Sequence, residues 1–342
     1  MRVGVLTGGG DAPGLNAALK AIVHRAHDHK IEVIGLKRGW AGLLESDSEP
    51  LDIHKVEDLS GEGGIMLYTS RTNPAKMPGG IQKCLTNMKQ LGLDALIAIG
   101  GDDTLGVAEK LFEAGANVVG VPKTIDNDLS ATDYSIGFHT AVSIATEAID
   151  KLRTTAKAHQ RVFVVEVMGR YSGWIALYAG LAAGAHLVLI PEVPFDLKDV
   201  YALVRRRREA GKVFSIIVVA EGAKPVADES LVFKRAEKDQ FGHALLGGIG
   251  PILEGLIEKE TGLETRSVVL GHLQRGGPPV AFDRFLASSL GVEAVELVKK
   301  KQWGFIPVLK GTIIVPVPLK EAVTQRKQVP AELYEMAKTF FK

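Results

Sequence analysis

The chain has 342 residues, which is long enough for two domains that each bury a core and excludes a single small module. Its 41 lysines and arginines balance its 40 aspartates and glutamates, so no global charge favours nucleic acid or a membrane surface as a partner. The single cysteine, Cys84, excludes an internal disulfide, and the lack of a signal sequence or an apolar run of roughly 20 residues leads us to expect a cytoplasmic protein.

Short apolar runs recur along the chain at intervals that leave room for a helix between them. We predict buried parallel strands at residues 3–6, 33–36, 95–99, 118–121, 162–167, 187–190, 216–220 and 268–270. Amphipathic stretches at 16–27, 104–114, 140–154 and 197–210 are predicted to be helices. This alternation predicts an α/β protein with two doubly wound, Rossmann-like domains and mainly parallel sheets.

We expect each domain to be assembled from two separated segments. The first would comprise residues 1–138 plus about 251–300, and the second would comprise 139–250 plus about 301–342. The predicted helix at 140–154 is the reason for the first boundary, because it could carry the chain away from the first sheet. The polar segment near 223–250 has no clear period and contains four glycines, so we expect a surface insertion there.

Several of the predicted strands are followed by loops rich in glycine or in ionisable residues. In doubly wound sheets, ligands bind in the loops beyond the carboxyl ends of the strands. The first loop contains Gly8, Gly9, Gly10 and Asp11 and precedes a predicted helix, where free amides and the helix dipole favour an anion. A structural tight turn is the alternative, because the loop lacks both the P-loop ending and the dinucleotide-binding spacing.

Closely spaced carboxylates follow two more strands. Asp102 and Asp103 come after a glycine pair, where a carboxylate could reach Mg²⁺ bound to phosphate oxygens; capping of the next helix is the alternative. Residues 124–128 read TIDND, and in an extended segment both carboxylates would face the same way. One could then take a proton from an attacking hydroxyl while the other orients it; an Asx-rich turn is the alternative. Lys123 adds a mobile positive charge for phosphate oxygens.

Two further motifs place an arginine beside glycines at the end of a strand. They read MGR at residues 168–170 and GHLQRGG at residues 271–277. Arginine suits bidentate recognition of phosphate and can stabilise charge on a phosphoryl group in transfer. A structural ion pair is the alternative for both arginines. Taken together, the motifs predict Mg²⁺-assisted phosphoryl transfer.

These motifs, in this order, resemble the signature of the 6-phosphofructokinase family. Members share a glycine-rich first turn, a GGD turn, TIDND, MGR and a GHxQRGG-like segment, and the match here runs from residue 8 to residue 277. The resemblance implies the phosphofructokinase fold, with the first domain binding the phosphoryl donor and Mg²⁺ and the second binding the sugar phosphate.

The resemblance also implies a role for each matching residue. Asp126 would be the base that takes the proton from the 1-hydroxyl of fructose 6-phosphate, Asp128 would support the reacting centre, and Asp102 would position Mg²⁺. Arg170 would stabilise the transferring phosphoryl group. Sugar-phosphate contacts are implied for Thr124, Met168, Gly169, Glu221, His272 and Arg275, and contacts with the donor for Gly10 and Arg71. Arg161 and Arg266 look like arginines that a neighbouring subunit contributes, which implies a homodimer or homotetramer with a shared site.

Two residues bear on the identity of the phosphoryl donor. ATP-using members of the family resemble GGDG and PGTIDND, whereas this chain has Asp103 and Lys123 at the two variable positions. A glycine leaves room for the α-phosphate and nucleoside, while Asp103 fills that space and repels an anion, by several kcal/mol for charges about 4 Å apart at intermediate dielectric. Lys123 suits the compact, highly charged pyrophosphate. Both residues match those at the same positions in the pyrophosphate-dependent members that this chain resembles. We therefore expect the chain to convert pyrophosphate and fructose 6-phosphate reversibly to fructose 1,6-bisphosphate and phosphate.

Other functions stay open on the sequence alone. An ATP-dependent 6-phosphofructokinase is the nearest alternative, and a lipid or NAD kinase with a related GGD turn is more distant. A non-catalytic sugar-phosphate sensor is the alternative outside enzymes. Ile53, His186 and Val213 stand where effector contacts of the allosteric bacterial enzymes would align, so we expect weak or absent control by nucleoside diphosphates and phosphoenolpyruvate.

Overall fold

Eleven β-strands and twelve α-helices are present in residues 1–226 and 248–342, which are the residues that the computed structural model describes. The strands are β1 (Arg2–Thr7), β2 (Glu32–Leu36), β3 (Ser48–Leu51), β4 (Ala95–Gly100), β5 (Val118–Pro122), β6 (Val162–Val167), β7 (Leu187–Leu189), β8 (Ser215–Ala220), β9 (Thr265–Val269), β10 (Phe305–Lys310) and β11 (Ile313–Pro318). The helices are α1 (Leu15–Asp28), α2 (Trp40–Glu45), α3 (Ile53–Val56), α4 (Gly80–Gln90), α5 (Asp102–Glu113), α6 (Phe138–His159), α7 (Trp174–Ala182), α8 (Leu197–Glu209), α9 (Ile249–Thr261), α10 (Ala281–Lys299), α11 (Leu319–Thr324) and α12 (Ala331–Lys338). Short 3₁₀ turns occur at Leu59–Gly61, Pro74–Lys76 and Gly271–Arg275.

The described residues divide into two units. Unit 1 comprises residues 1–125, 129–140 and 275–326, and unit 2 comprises residues 126–128, 141–274 and 327–342. None of the helices in the described ranges is both long and apolar enough to cross a membrane.

Unit 1 is built on a seven-stranded sheet with the strand order β11-β10-β5-β4-β1-β2-β3. The five inner strands run parallel, and the edge strands β3 and β11 are antiparallel to their neighbours. All six residues of β4 are buried, as expected for a parallel strand covered on both faces. Cys84 lies in the core of this unit as predicted, and burial raises the pKa of its thiol to about 12.

Unit 2 is built on a four-stranded parallel sheet with the order β7-β8-β6-β9. The inner strands β6 and β8 are buried along their whole length, which explains why their sequences are apolar except at Glu166 and Ser215. The edge strand β9 is partly exposed. A mainly parallel sheet in unit 1 and a parallel sheet in unit 2 confirm the predicted α/β class.

The structure departs from the predicted elements mainly at the edges of the sheets. Strands β3, β10 and β11 were not predicted, because prolines and polar residues interrupt their apolar patterns. The strand predicted at 268–270 instead spans Thr265–Val269. Helix α5 begins two residues earlier than predicted, and α6 extends beyond both predicted ends.

The two units also differ from the predicted domains in their C-terminal segments. Residues 251–274 were placed in the first domain, but β9 pairs with β6 in unit 2. Residues 301–326 were placed in the second domain, but β10 pairs with β5 and so belongs to unit 1. Strand pairing between segments far apart in sequence leaves no local signal in the sequence. The sequence pattern therefore assigned both C-terminal segments to the wrong domain. The insertion predicted near 223–250 lies, apart from its ends, outside the described residues.

Candidate active site

Three loops of unit 1 lie side by side at the carboxyl ends of β1, β4 and β5. The amide of Gly8 donates to the carbonyl oxygen of Ile99 at 2.9 Å, and the amide of Lys123 donates to that of Gly100 at 3.0 Å. A Cβ atom placed on Gly8 would lie 2.6 Å from the side chain of Thr104, and one placed on Gly100 would lie 2.3 Å from the same side chain. Only glycine permits so close an approach. The structure therefore brings together the glycine turn, the GGD turn and the start of the TIDND segment.

Two cations hold the carbonyl groups of the glycine turn. The Nζ of Lys123 donates to the carbonyl oxygens of Gly8 at 3.0 Å and Gly10 at 2.6 Å. The Nη1 of Arg275 donates to the carbonyl oxygen of Asp11 at 2.8 Å. Lys123 is only 3% exposed. The prediction of a mobile charge is therefore wrong for Lys123, because these bonds hold its ammonium group directly behind the turn that is expected to bind an anion.

Asp102 and Asp103 form the first turn of α5. The N-cap is Gly101, so neither aspartate occupies the capping position, and the amide of Asp103 donates to Oδ1 of Asp102 at 2.8 Å. Oδ2 of Asp102 lies 3.4 Å from Nη2 of Arg326, and the Asp102 side chain is 35% exposed. The positive end of the helix dipole stabilises carboxylates in this turn. Asp102 also remains accessible to a bound cation.

The charge and accessibility of Asp102 suit a Mg²⁺ site that is completed by the substrate. No group of three histidine, cysteine, aspartate or glutamate side chains that could hold a metal ion occurs in residues 1–226 or 248–342. Mg²⁺ usually keeps several waters and binds through one or two carboxylates together with substrate phosphates. It therefore does not require such a cluster, and one accessible carboxylate at the end of β4 is sufficient.

The remaining predicted residues of unit 1 are Thr124 and Arg71. Thr124 is half-buried, and its carbonyl oxygen accepts a hydrogen bond from Oγ of Ser135 at 2.7 Å. Arg71 is exposed in the segment between α3 and α4. The backbone of Thr124 is thus anchored, whereas the Arg71 side chain is open to solvent.

The TIDND segment passes from unit 1 to unit 2 between Ile125 and Asp126. Asp126 is 6% exposed, and its carbonyl oxygen accepts a hydrogen bond from Oγ of Ser172 at 2.8 Å. Asn127 is buried and has a φ of 51°, so the extended conformation predicted for this segment is wrong. Asparagine tolerates the left-handed region better than most residues, and such backbone strain is concentrated at functional sites.

The MGR loop of unit 2 is fixed by hydrogen bonds to its backbone. The amide of Arg170 donates to Oε1 of Glu221 at 3.0 Å, and the amide of Met168 donates to the side-chain oxygen of Gln274 at 3.3 Å. Arg170 itself has a φ of 49°. A Cβ atom at position 222 would lie 1.9 Å from the carbonyl oxygen of Arg170, so Gly222 is required there. The loop therefore holds Arg170 in a strained but defined conformation.

Glu221 has a carboxyl group that titrates near neutral pH. Burial raises its pKa to about 7, and the negative charge of Asp126 also raises it, while the hydrogen bond from the amide of Arg170 acts in the opposite direction. Two carboxyl groups of unit 2, one from TIDND and one from the end of β8, are thus electrostatically coupled.

We expect Glu221→Gln to flatten the pH dependence of stability. Because the pKa of Glu221 is about 7 in the folded protein and ordinarily 4.5, the folded state binds the proton more tightly than the unfolded state. The resulting stabilisation is complete below the unfolded pKa and is lost as the pH rises through the folded pKa. Glutamine keeps an acceptor for the amide of Arg170 but does not titrate. Scanning calorimetry from pH 5 to pH 8.5 should show the melting temperature of the variant rising relative to wild type; parallel curves would contradict the assignment.

Arg161 and Arg266 share one carboxylate. Oε1 of Glu264 lies 2.8 Å from Nη2 of Arg161 and 2.6 Å from Nη2 of Arg266. Their side chains are 27% and 45% exposed, so both guanidinium groups remain accessible to an anion. His272 is exposed in the 3₁₀ turn that follows β9. That Arg161 and Arg266 serve a neighbouring subunit stays a prediction.

Two contacts of the predicted residues involve side chains to which the motifs gave no role. Gln274 anchors Met168 and could have been found, because it lies inside the GHLQRGG motif. Arg326 pairs with Asp102 from 224 residues further along the chain and stands next to no glycine motif. Nothing in the local sequence marks Arg326 as part of this site.

A family model and full-length relatives assign this chain to one family. The family model for phosphofructokinase matches residues 2–298. Over 343 residues and the full length of both proteins, the chain is 55% identical to the pyrophosphate–fructose 6-phosphate 1-phosphotransferase of Amycolatopsis methanolica. It is 50% identical to ATP-dependent 6-phosphofructokinase 3 of Streptomyces coelicolor, covering 98% of this chain and 99% of that protein.

A solved structure of similar fold is phosphofructokinase from Pichia pastoris in the T-state. The TM-score is 0.83 with 31% sequence identity, covering 99% of this chain and 36% of the yeast chain. The chain therefore spans about a third of the yeast protein. With the family model matching most of its length and full-length relatives above half identity, this chain belongs to the phosphofructokinase family.

Proposed function

We propose that this protein transfers a phosphoryl group from pyrophosphate to the 1-hydroxyl of fructose 6-phosphate, reversibly and with Mg²⁺. The products are fructose 1,6-bisphosphate and phosphate. The observation that carries the choice of donor is the pair Asp103 and Lys123, which flank the glycine and GGD turns of unit 1. The name of the 55% identical relative supports the same donor.

The geometry around Lys123 favours a small and highly charged donor. The ammonium group is buried and is held against the glycine turn, so its charge is weakly screened and acts strongly on an anion bound there. Asp103 stands beside Asp102, where its bulk and charge oppose the additional phosphate and nucleoside of ATP. A compact pyrophosphate gains the attraction and avoids the repulsion.

The chemical step follows from the residues of TIDND and MGR. Asp126 accepts the proton of the 1-hydroxyl, whose oxygen attacks the terminal phosphorus of the donor while the bridging P–O bond breaks and phosphate leaves. Arg170 stabilises the charge on the transferring group, and Asp128 and Thr124 support the reacting centre. Asp102 would hold Mg²⁺, which would supply positive charge that neutralises donor oxygens. Gly10 and Arg71 contact the phosphoryl donor.

The sugar phosphate is bound by residues of unit 2 and of the turn that follows β9. Its contacts are Met168, Gly169, Glu221, His272 and Arg275, with Arg161 and Arg266 reaching the site of a neighbouring subunit. The protein then works as a homodimer or homotetramer in the cytoplasm. We also propose that nucleoside diphosphates exert little control over it.

A coupled assay of the purified protein tests the choice of donor. Initial rates with fructose 6-phosphate are compared for pyrophosphate, ATP and polyphosphate at matched free Mg²⁺. We expect turnover with pyrophosphate and little with the other two. Comparable turnover with ATP would favour the second candidate, an ATP-dependent 6-phosphofructokinase. The name of the 50% identical relative from Streptomyces coelicolor supports this candidate. No turnover with any donor would favour a sugar-phosphate sensor.

A further inference from the structure

Arg326 directs its guanidinium group at the carboxylate that is proposed to hold Mg²⁺. Its Nη2 atom lies 3.4 Å from Oδ2 of Asp102, and both residues belong to unit 1. Arg326 follows α11, whereas Asp102 begins α5. The fold thus brings a cation from the C-terminal part of the chain to the donor side of the proposed site.

The pair between Arg326 and Asp102 is too accessible to serve mainly as a structural link. The two side chains are 41% and 35% exposed. Ion pairs at this exposure contribute little to folding stability, because water screens the attraction and two side chains lose freedom. A ligand can therefore replace either partner at small cost.

The backbone on both sides of Arg326 is fixed, although its side chain is accessible. Within unit 1, Arg326 forms an isolated β-bridge with Leu129, which follows the TIDND segment. Within unit 2, the amide of Lys327 donates to the carbonyl oxygen of Asp128 at 2.7 Å, and Nε1 of Trp174 donates to the carbonyl oxygen of Lys327 at 3.2 Å. These contacts fix the backbone at Arg326 and at Lys327, while 41% of the Arg326 side chain remains exposed.

Two other cations of the donor side hold backbone carbonyl groups. Lys123 donates to carbonyl groups of the glycine turn, and Arg275 donates to that of Asp11. Arg326 instead faces a carboxylate that a divalent cation would occupy. If Mg²⁺ occupied Asp102, a terminal phosphate oxygen of the donor would offer the guanidinium group an anionic partner with geometry that suits arginine.

We propose that Arg326 is a donor-binding residue, which neutralises Asp102 before the donor arrives and then binds a phosphate oxygen of the Mg²⁺-bound donor. The inference rests on the proposed function in taking Asp102 as the metal ligand and pyrophosphate as the donor. Its consequence is that Arg326 couples the binding of metal and donor, because it opposes the metal alone and assists the two together.

Calorimetric titration of Arg326→Ala with Mg²⁺ plus pyrophosphate tests the proposal directly. We expect donor affinity to fall by about 10-fold or more, as for loss of a hydrogen bond to a charged group, with fructose 6-phosphate affinity nearly unchanged. Titration with Mn²⁺ alone, followed by electron paramagnetic resonance, should show tighter binding than in wild type, and an unchanged Mn²⁺ affinity would contradict the neutralisation of Asp102 by Arg326. Arg326→Lys should retain part of the donor affinity, because it keeps the charge and loses the planar fork.

Lys320→Ala is the matched control, because it removes an exposed cation of α11. It should match wild type in every titration. Unchanged donor affinity in Arg326→Ala would overturn the proposal, and equal weakening of donor and sugar phosphate, with a lower melting temperature, would assign Arg326 a structural role. If wild type binds Mg²⁺ with ATP but not with pyrophosphate, the choice of donor is wrong, and the same comparison made with ATP still decides the role of Arg326.

Discussion

Replacing Asp126 by asparagine should lower kcat by a factor of about 10²–10⁴, the range typical for loss of a general base. Asparagine has nearly the same size but cannot accept the proton of the 1-hydroxyl. The anchoring hydrogen bond from Ser172 goes to the backbone oxygen of Asp126 and is unaffected by the substitution. We therefore expect the Michaelis constants for both substrates to change much less than kcat, in steady-state assays with pyrophosphate and fructose 6-phosphate.

Asp133→Asn is a suitable control for this experiment. Asp133 belongs to the loop that follows TIDND, and its Oδ2 atom accepts a hydrogen bond from the amide of Gly311 at 2.6 Å. The control should retain most of the wild-type kcat. If Asp126→Asn also retained it with an unchanged pH profile, Asp126 could not be the base, and Glu221, whose pKa is about 7, would become the first candidate.

Replacing Asp103 by glycine should shift the donor preference toward ATP by about 100-fold in the ratio of kcat/KM values, since removing a like charge near a phosphate relieves several kcal/mol at most. The glycine also opens the space that a nucleotide requires. Steady-state assays with each donor at saturating fructose 6-phosphate measure the ratio. Glu113→Gly, at the exposed end of the same helix, controls for the cost of a glycine in α5.

The structure changes what is expected of the companion substitution, Lys123→Gly. The sequence presents the lysine as a donor contact, but its Nζ atom holds the carbonyl groups of Gly8 and Gly10. Glycine at this position should therefore reduce the use of both donors, and the double variant should show a raised ATP ratio at lower total activity. An unchanged donor ratio in both Asp103→Gly and the double variant would show that these residues do not select the donor.

The choice of donor is a narrow distinction within this family. Relatives named for pyrophosphate and for ATP are 55% and 50% identical to this chain, and both match it over almost its entire length. Overall similarity therefore separates the two activities weakly. Local charge beside the donor phosphates determines the choice of donor more directly, which is why the proposal rests on Asp103 and Lys123.

The sequence is informative where function or structure depends on local chemistry. The buried parallel strand β4 is a continuous apolar run, and β6 is apolar except at Glu166. Glycine-containing motifs directly follow both strands, so the strands and the motif loops were predictable. The pairing of β10 with β5 was not, because it depends on distant backbone partners. The left-handed conformation of Asn127 and the contact of Arg326 with Asp102 are likewise products of tertiary structure without a local signal.

The measurement that tests pyrophosphate dependence most directly is the reverse reaction, started from fructose 1,6-bisphosphate and inorganic phosphate with Mg²⁺ and no nucleotide. Phosphorus NMR follows both possible products. We predict formation of pyrophosphate and fructose 6-phosphate in equal amounts, at a rate that depends on phosphate concentration. A reaction that proceeds with ADP and yields ATP, but forms no pyrophosphate from phosphate, would contradict the proposed function.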